Sequence, residues 1–104
     1  MMQIENKIIL TDIKDDDLSR NFGYMITQYS DKTQYSDKIC ASIWITNSVG
    51  KVEEKNIVYD SLQNLYDESK IFVESDLINH TLWHQSKYRM MRDFIKYYEN
   101  INQI

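Results

Sequence analysis

The chain has 104 residues, 42% of them apolar and 27% charged, and a net charge of −4. These values fit one globular domain that buries roughly 60–68% of the surface its unfolded form exposes, and the absence of any Pro-, Ser- or Gly-rich run argues against a disordered tail. No stretch approaches the roughly 18 apolar residues of a membrane span, and the opening MMQIENKIILTDIKDDD has neither a basic start nor a small-residue cleavage site, so a cytoplasmic protein without membrane contact is expected.

The single cysteine, Cys40, has no internal disulfide partner, which agrees with a reducing compartment. Phe, Tyr, Met, Ile, Asn and Lys supply 47 residues, against 6 from Gly, Ala, Arg and Pro, a bias toward AT-rich codons expected of a low-GC bacterium, its phages or its mobile elements. Residues 1–79 carry 14 acids and 8 bases, whereas residues 80–104 carry 4 bases and 2 acids. An acidic body opposes general nucleic-acid binding, because phosphate contacts need Lys and Arg to displace counterions.

Lys7 to Ile13, KIILTDI, is rich in β-branched residues and too short for a helix, so a strand is expected before the acidic turn Asp15-Asp16-Asp17. Phe22, Tyr24 and Ile26 then alternate with Gly23, Met25 and Thr27. Ile39, Ala41, Ile43 and Ile45 alternate in the same way with Cys40, Ser42, Trp44 and Thr46, which makes two half-buried strands. Between them QYSDKTQYSDK, Gln28 to Lys38, is a six-residue unit followed by most of itself, with a turn-competent Ser-Asp-Lys in each copy. It reads as an extended hairpin connection. An even insertion leaves the faces of the next strand unchanged, and doubling a loop costs only about 0.6 kcal/mol.

Asn47 to Lys51, NSVGK, is a turn with Gly50 able to take positive φ, and VEEKNIVY continues as a fourth strand, with helix as the competing assignment. From Asp60 the period changes: Leu62, Leu65, Tyr66 and Ser69 recur at helical spacing, and Asp60 with Gln63 resembles a capping box, predicting a short helix over 61–69. Lys70 to Glu74, KIFVE, returns to strand-like composition. Ser75 or Asp76 then caps a long final helix whose buried stripe is Leu77, Thr81, His84, Tyr88, Met91, Ile95 and Tyr98. The expected fold is α+β, a small antiparallel sheet of three to five strands packed by a long C-terminal helix and one shorter helix.

Chemical motifs are weak. His80 and His84 share a helix face and could grip one metal, but Asp76 lies too far along the axis to complete the set, and His84 is more simply a core histidine. Ser42 and Cys40 have no elbow motif, Ser48-Val49-Gly50-Lys51 lacks the earlier glycine of a phosphate loop, and no acid pattern matches a calcium loop. No catalytic residue, cofactor or metal site is therefore assigned.

Surface features are stronger. Arg89, Arg92 and Lys96 form a basic stripe on the final helix, and Asp15, Asp16 and Asp17 belong to the densest acidic cluster. Eight tyrosines and two tryptophans are many for this length, and such residues favour interfaces: Tyr29 and Tyr35 in the repeat, with Trp44 and Tyr97, are expected to be exposed or covered by a partner. The expectation is a small acidic, non-enzymatic protein-binding protein, an inhibitor or an immunity or anti-defence protein. It would occlude a basic or catalytic surface of a partner such as a nuclease or another nucleic-acid-binding complex, and a homodimer is compatible. Two alternatives are a nucleic-acid-binding regulator using the basic face of the C-terminal helix, and a small metal-dependent enzyme around His80 and His84.

Overall fold

The computed structural model describes residues 7–15, 21–29, 38–75 and 81–102, with the backbone alone for 7–15 and Tyr29. Four strands, β1 (Lys7–Asp15), β2 (Phe22–Tyr29), β3 (Ile39–Thr46) and β4 (Val52–Tyr59), precede two helices, α1 (Leu62–Glu74) and α2 (Leu82–Asn102). The strands form one antiparallel sheet in the order β1-β2-β3-β4, a meander in which each strand pairs with its neighbour in sequence. This is the expected α+β architecture. The β1–β2 register breaks between Ile9 and Lys14, while β2–β3 and β3–β4 run without interruption.

Cross-strand partners share a face, so the register sorts the sheet. Ile26 opposes Ala41, which opposes Ile57, and Tyr24 opposes Ile43, which opposes Lys55. Ile39 faces Tyr59 in the same layer. Tyr24, Ile26, Ile39, Ala41, Ile43 and Tyr59 are all buried and meet Leu65 of α1 and Met90, Met91 and Phe94 of α2 in one core. The alternation of Ile39, Ala41, Ile43 and Ile45 is thus the inner face of β3. On the other face Met25, Thr27, Cys40, Ser42 and Trp44 are half-buried and Val52 and Val58 are exposed.

The β2 and β3 strands pair from Phe22↔Ile45 to Gln28↔Ile39, so the tandem repeat joins two adjacent antiparallel strands, as a hairpin connection does. Residues 30–37 within it lie outside the described residues. Between β3 and β4, Gly50 takes φ 82°, and the Asn47 side chain accepts hydrogen bonds from the Val49 and Lys51 amides at 3.0 Å each. That is the expected turn. VEEKNIVY is a strand rather than a helix, because β3 supplies a complete backbone partner for all eight of its residues.

Three local expectations are corrected. KIFVE is the last part of α1, not a strand: Leu62, Leu65, Ser69, Phe72 and Val73 keep helical spacing, and packing against α2 outweighs the β propensity of Ile71 and Val73. The α1 N-cap is Ser61, whose hydroxyl accepts from the Asn64 amide at 3.1 Å, rather than an Asp60/Gln63 box. Gln63 instead donates to Asp67 and accepts from the Tyr98 hydroxyl, and Asp60 pairs with Lys38. Ser75 is the C-cap of α1, and α2 is capped by Thr81, whose hydroxyl accepts from the His84 amide at 3.2 Å. Asp76 and Leu77 lie outside the described residues.

The buried stripe of α2 is also rotated from the expected one. Ser86, Met90, Met91 and Phe94 are buried, whereas Thr81 and Tyr88 are exposed. Ser86 works at the centre because it is small: its hydroxyl donates to the Gly23 carbonyl of β2, holding the helix close to the strand. Of the expected stripe Met91 does lie in the core, while Tyr98 and His84 turn toward α1, where Tyr98 stacks on Tyr66 with centroids 4.7 Å apart and His84 lies 5.1 Å from Phe72. A helix lying in the angle between a sheet and another helix buries a face wider than one stripe.

Candidate interaction surface

The helices cover one face of the sheet, and among the described residues the sheet ends at β4. Five consecutive residues of this strand, Val52 to Asn56, are exposed. Its outward row is Val52, Glu54, Asn56 and Val58, with Val52 61% and Val58 55% exposed, which is unusual for valines within a strand. The register places Trp44 beside Glu54, Ser42 beside Asn56 and Cys40 beside Val58. Ser42 donates to the Asn56 side-chain oxygen at 2.6 Å. Trp44 is half-buried there, so its expected availability on the face away from the helices is met in part.

Charge is segregated around this edge. From β4 through α1, residues 52–75 contain six acids (Glu53, Glu54, Asp60, Asp67, Glu68 and Glu74) and two bases, all six acids being exposed. Glu53 accepts from the Asn47 side chain at 2.9 Å, and Glu74 pairs with Lys70 at 3.1 Å. Lys55 turns inward and lies 4.3 Å from the Trp83 ring, a contact that holds the ammonium against α2 rather than among the carboxylates.

The α2 surface is different. Arg92 pairs with its neighbour Asp93 at 3.2 Å, Arg89 lies over the Phe22 ring at 5.6 Å, and Lys96 is exposed. Asp93 also accepts from the Tyr24 hydroxyl at 2.7 Å. The three bases therefore flank a carboxylate that neutralises part of their field. Lys96 and Tyr97 line a cavity of about 400 Å³ with Asp93, Asn100 and Ile101. Tyr97, expected like Trp44 to be exposed or covered by a partner, is also half-buried: it packs against the core with its ring 5.9 Å from Phe94.

Asp16, Asp17 and Tyr35 lie outside the described residues, as do the side chains of Asp15 and Tyr29. His84 sits between the rings of Phe72 and Tyr88, at 5.1 and 6.4 Å, and His80 lies outside the described residues. Among the described residues no three His, Cys, Asp or Glu side chains come close enough to share a metal ion, and none of their helices is long and apolar enough to cross a membrane.

Among the described residues the perturbed groups all hold their protons more tightly. Burial pushes the Tyr59 phenol far above its ordinary range, helped by the charge of Glu68 and a hydrogen bond with it. Tyr66 is raised chiefly by its hydrogen bond to Glu99, 2.7 Å long. Lys70 is raised by its hydrogen bond to Glu74. None of these shifts yields a base or nucleophile poised near neutrality, the usual sign of an acid–base site. The two tyrosine shifts are structural, Tyr59 tying β4 to α1 and Tyr66 tying α1 to α2. The phenols of Tyr24 and Tyr98 also bridge elements, through hydrogen bonds to Asp93 and Gln63.

Glu53 and Glu54 of β4, with Asp67 and Glu68, are legible in the sequence as further acids of the surface, but not that they border a sheet edge. The outward row of β4 is spaced by two, but only the strand order shows that, among the described residues, no strand follows β4 in the sheet. Comparison with protein-family models, with curated proteins and with solved structures finds no match to this chain.

Proposed function

We propose that this chain is a small, acidic, stoichiometric protein-binding protein of the inhibitor, immunity or anti-defence kind, acting in the cytoplasm of a low-GC bacterium on a basic surface of its partner. The observation that supports this most is the segregation of exposed acids along β4 and α1, with Glu54 standing beside the half-buried Trp44. A partner surface built to hold nucleic-acid phosphates presents Lys and Arg, and clustered carboxylates complement it, steering encounter and fixing orientation. Direct nucleic-acid binding through Arg89, Arg92 and Lys96 is disfavoured, since Asp93 already pairs with Arg92 and the rest of the chain is acidic.

The test is tagged expression in a low-GC host, followed by native mass spectrometry of captured complexes. One partner at equal stoichiometry is expected, its activity falling linearly to the equivalence point, with the complex lost in Glu53→Lys/Glu54→Lys/Asp67→Lys. Salt-sensitive binding of DNA or RNA by the purified chain, or turnover of a substrate by it, would overturn this function.

A further inference from the structure

We propose that β4 is a strand-addition site: an extended segment of the partner pairs antiparallel with it as a fifth strand and places a basic side chain opposite Glu54. The proposal rests on the protein-binding function above and adds where the partner sits and what chemistry it carries. Every other residue of an edge strand directs its amide and carbonyl away from the sheet, and an incoming strand satisfies them. β4 suits this use because its eight residues stay in uninterrupted register with β3, with no bulge to twist the edge away.

The side chains set the specificity. Along the outward row the strand offers exposed Val52, Glu54, Asn56 and an exposed Val58, so an antiparallel partner needs, at alternate positions, an apolar residue, a polar one, a basic one and an apolar one. Arginine fits best at the third position, since its guanidinium can pair with Glu54 while its plane lies toward the neighbouring Trp44 ring. Glu53 adds a second exposed carboxylate on the opposite face of the strand. The adjacent charges of Glu53 and Glu54 also guard the edge against indiscriminate pairing, so that a strand of complementary charge is favoured.

The probe is the synthetic peptide Thr-Val-Thr-Thr-Thr-Arg-Thr-Val-Thr, titrated to millimolar concentration into the isotope-labelled chain and followed by amide chemical shifts. Shifts concentrated on residues 52–58 are expected, with affinity reduced about tenfold or more by Glu54→Lys and recovered on that variant when the peptide arginine is replaced by glutamate. Shifts centred elsewhere, or none on β4, would overturn the proposal. So would a dimer of the unliganded chain in sedimentation that Val58→Lys disperses, because a second copy would then occupy the edge. A natural partner that still binds Val52→Lys/Val58→Lys at full strength would remove the strand-addition site and leave the protein-binding function standing.

Discussion

The Tyr24 hydroxyl and the Asp93 carboxylate meet across the boundary between sheet and helix, 2.7 Å apart and 69 residues apart in the chain. Tyr24 is 2% exposed, so its phenol has little water to fall back on. A hydrogen bond to a charged acceptor contributes about 1.5–3 kcal/mol. Tyr24→Phe is expected to lose that amount in urea unfolding, and Asp93→Asn, which keeps an acceptor oxygen, to lose less. Equal stability of Tyr24→Phe and the parent chain would show that this bond does not anchor α2.

Tyr59 makes stability depend on alkaline pH. Its phenol is raised above the ordinary value near 10 by burial and by Glu68. The folded chain therefore keeps a proton that the unfolded chain gives up. The stabilisation is complete below about pH 10 and declines above it by about 1.4 kcal/mol per pH unit for one such proton. Unfolding free energy measured from pH 8 upward should bend downward near pH 10, and Tyr59→Phe should flatten part of that bend. A profile identical in the two proteins would refute the assignment.

Gly50 is at φ 82° with nothing within 4 Å of where a Cβ would stand. Space is available, so only the backbone opposes a side chain. Gly50→Ala is expected to cost about 1–2 kcal/mol, and Gly50→Asn less, because asparagine tolerates the left-handed region. Thermal unfolding of the pair separates this effect from packing, which would penalise the larger side chain more.

The two helix caps make a further pair. Ser61→Ala and Thr81→Ala each remove a side-chain acceptor for a first-turn amide, and each is expected to cost about 1 kcal/mol. Asp60→Ala should cost less, its ion pair with Lys38 being exposed. If Asp60→Ala proved the most damaging of the three, the cap would have been misplaced.

Deleting six residues from the tandem repeat, 30–35, should leave the β2–β3 pairing intact and change stability by no more than about 1 kcal/mol, since loop closure depends only weakly on length. Amide exchange of Ile39 to Thr46 checks it: loss of protection there would show that the repeat shapes the hairpin.

The residues that were legible in advance are those whose periodicity one partner decides. Ile39, Ala41, Ile43 and Ile45 alternate because one face of β3 is covered and the other is not, and Asn47 to Lys51 is a turn by its own chemistry. The KIFVE segment was misleading because its strand-like side chains are overruled by contacts with α2, which a local window does not contain. The α2 stripe was misplaced for a related reason. Ser86 is polar in the sequence and wholly buried in the fold, since a small hydroxyl that donates to the Gly23 carbonyl is what a close helix–strand approach requires.

For the surface the division is similar. Acidity, the abundance of tyrosine and the absence of chemical motifs were fixed by composition, and they narrowed the expected action to binding. Which carboxylates border the sheet edge, that Tyr97 packs against Phe94 and that β4 is the last strand among the described residues were decided by tertiary packing. Alternation and turn chemistry act between near neighbours, so the sequence carries them by itself. The order of strands and the rotation of a helix depend on the summed burial of residues far apart in the chain, which no short stretch contains.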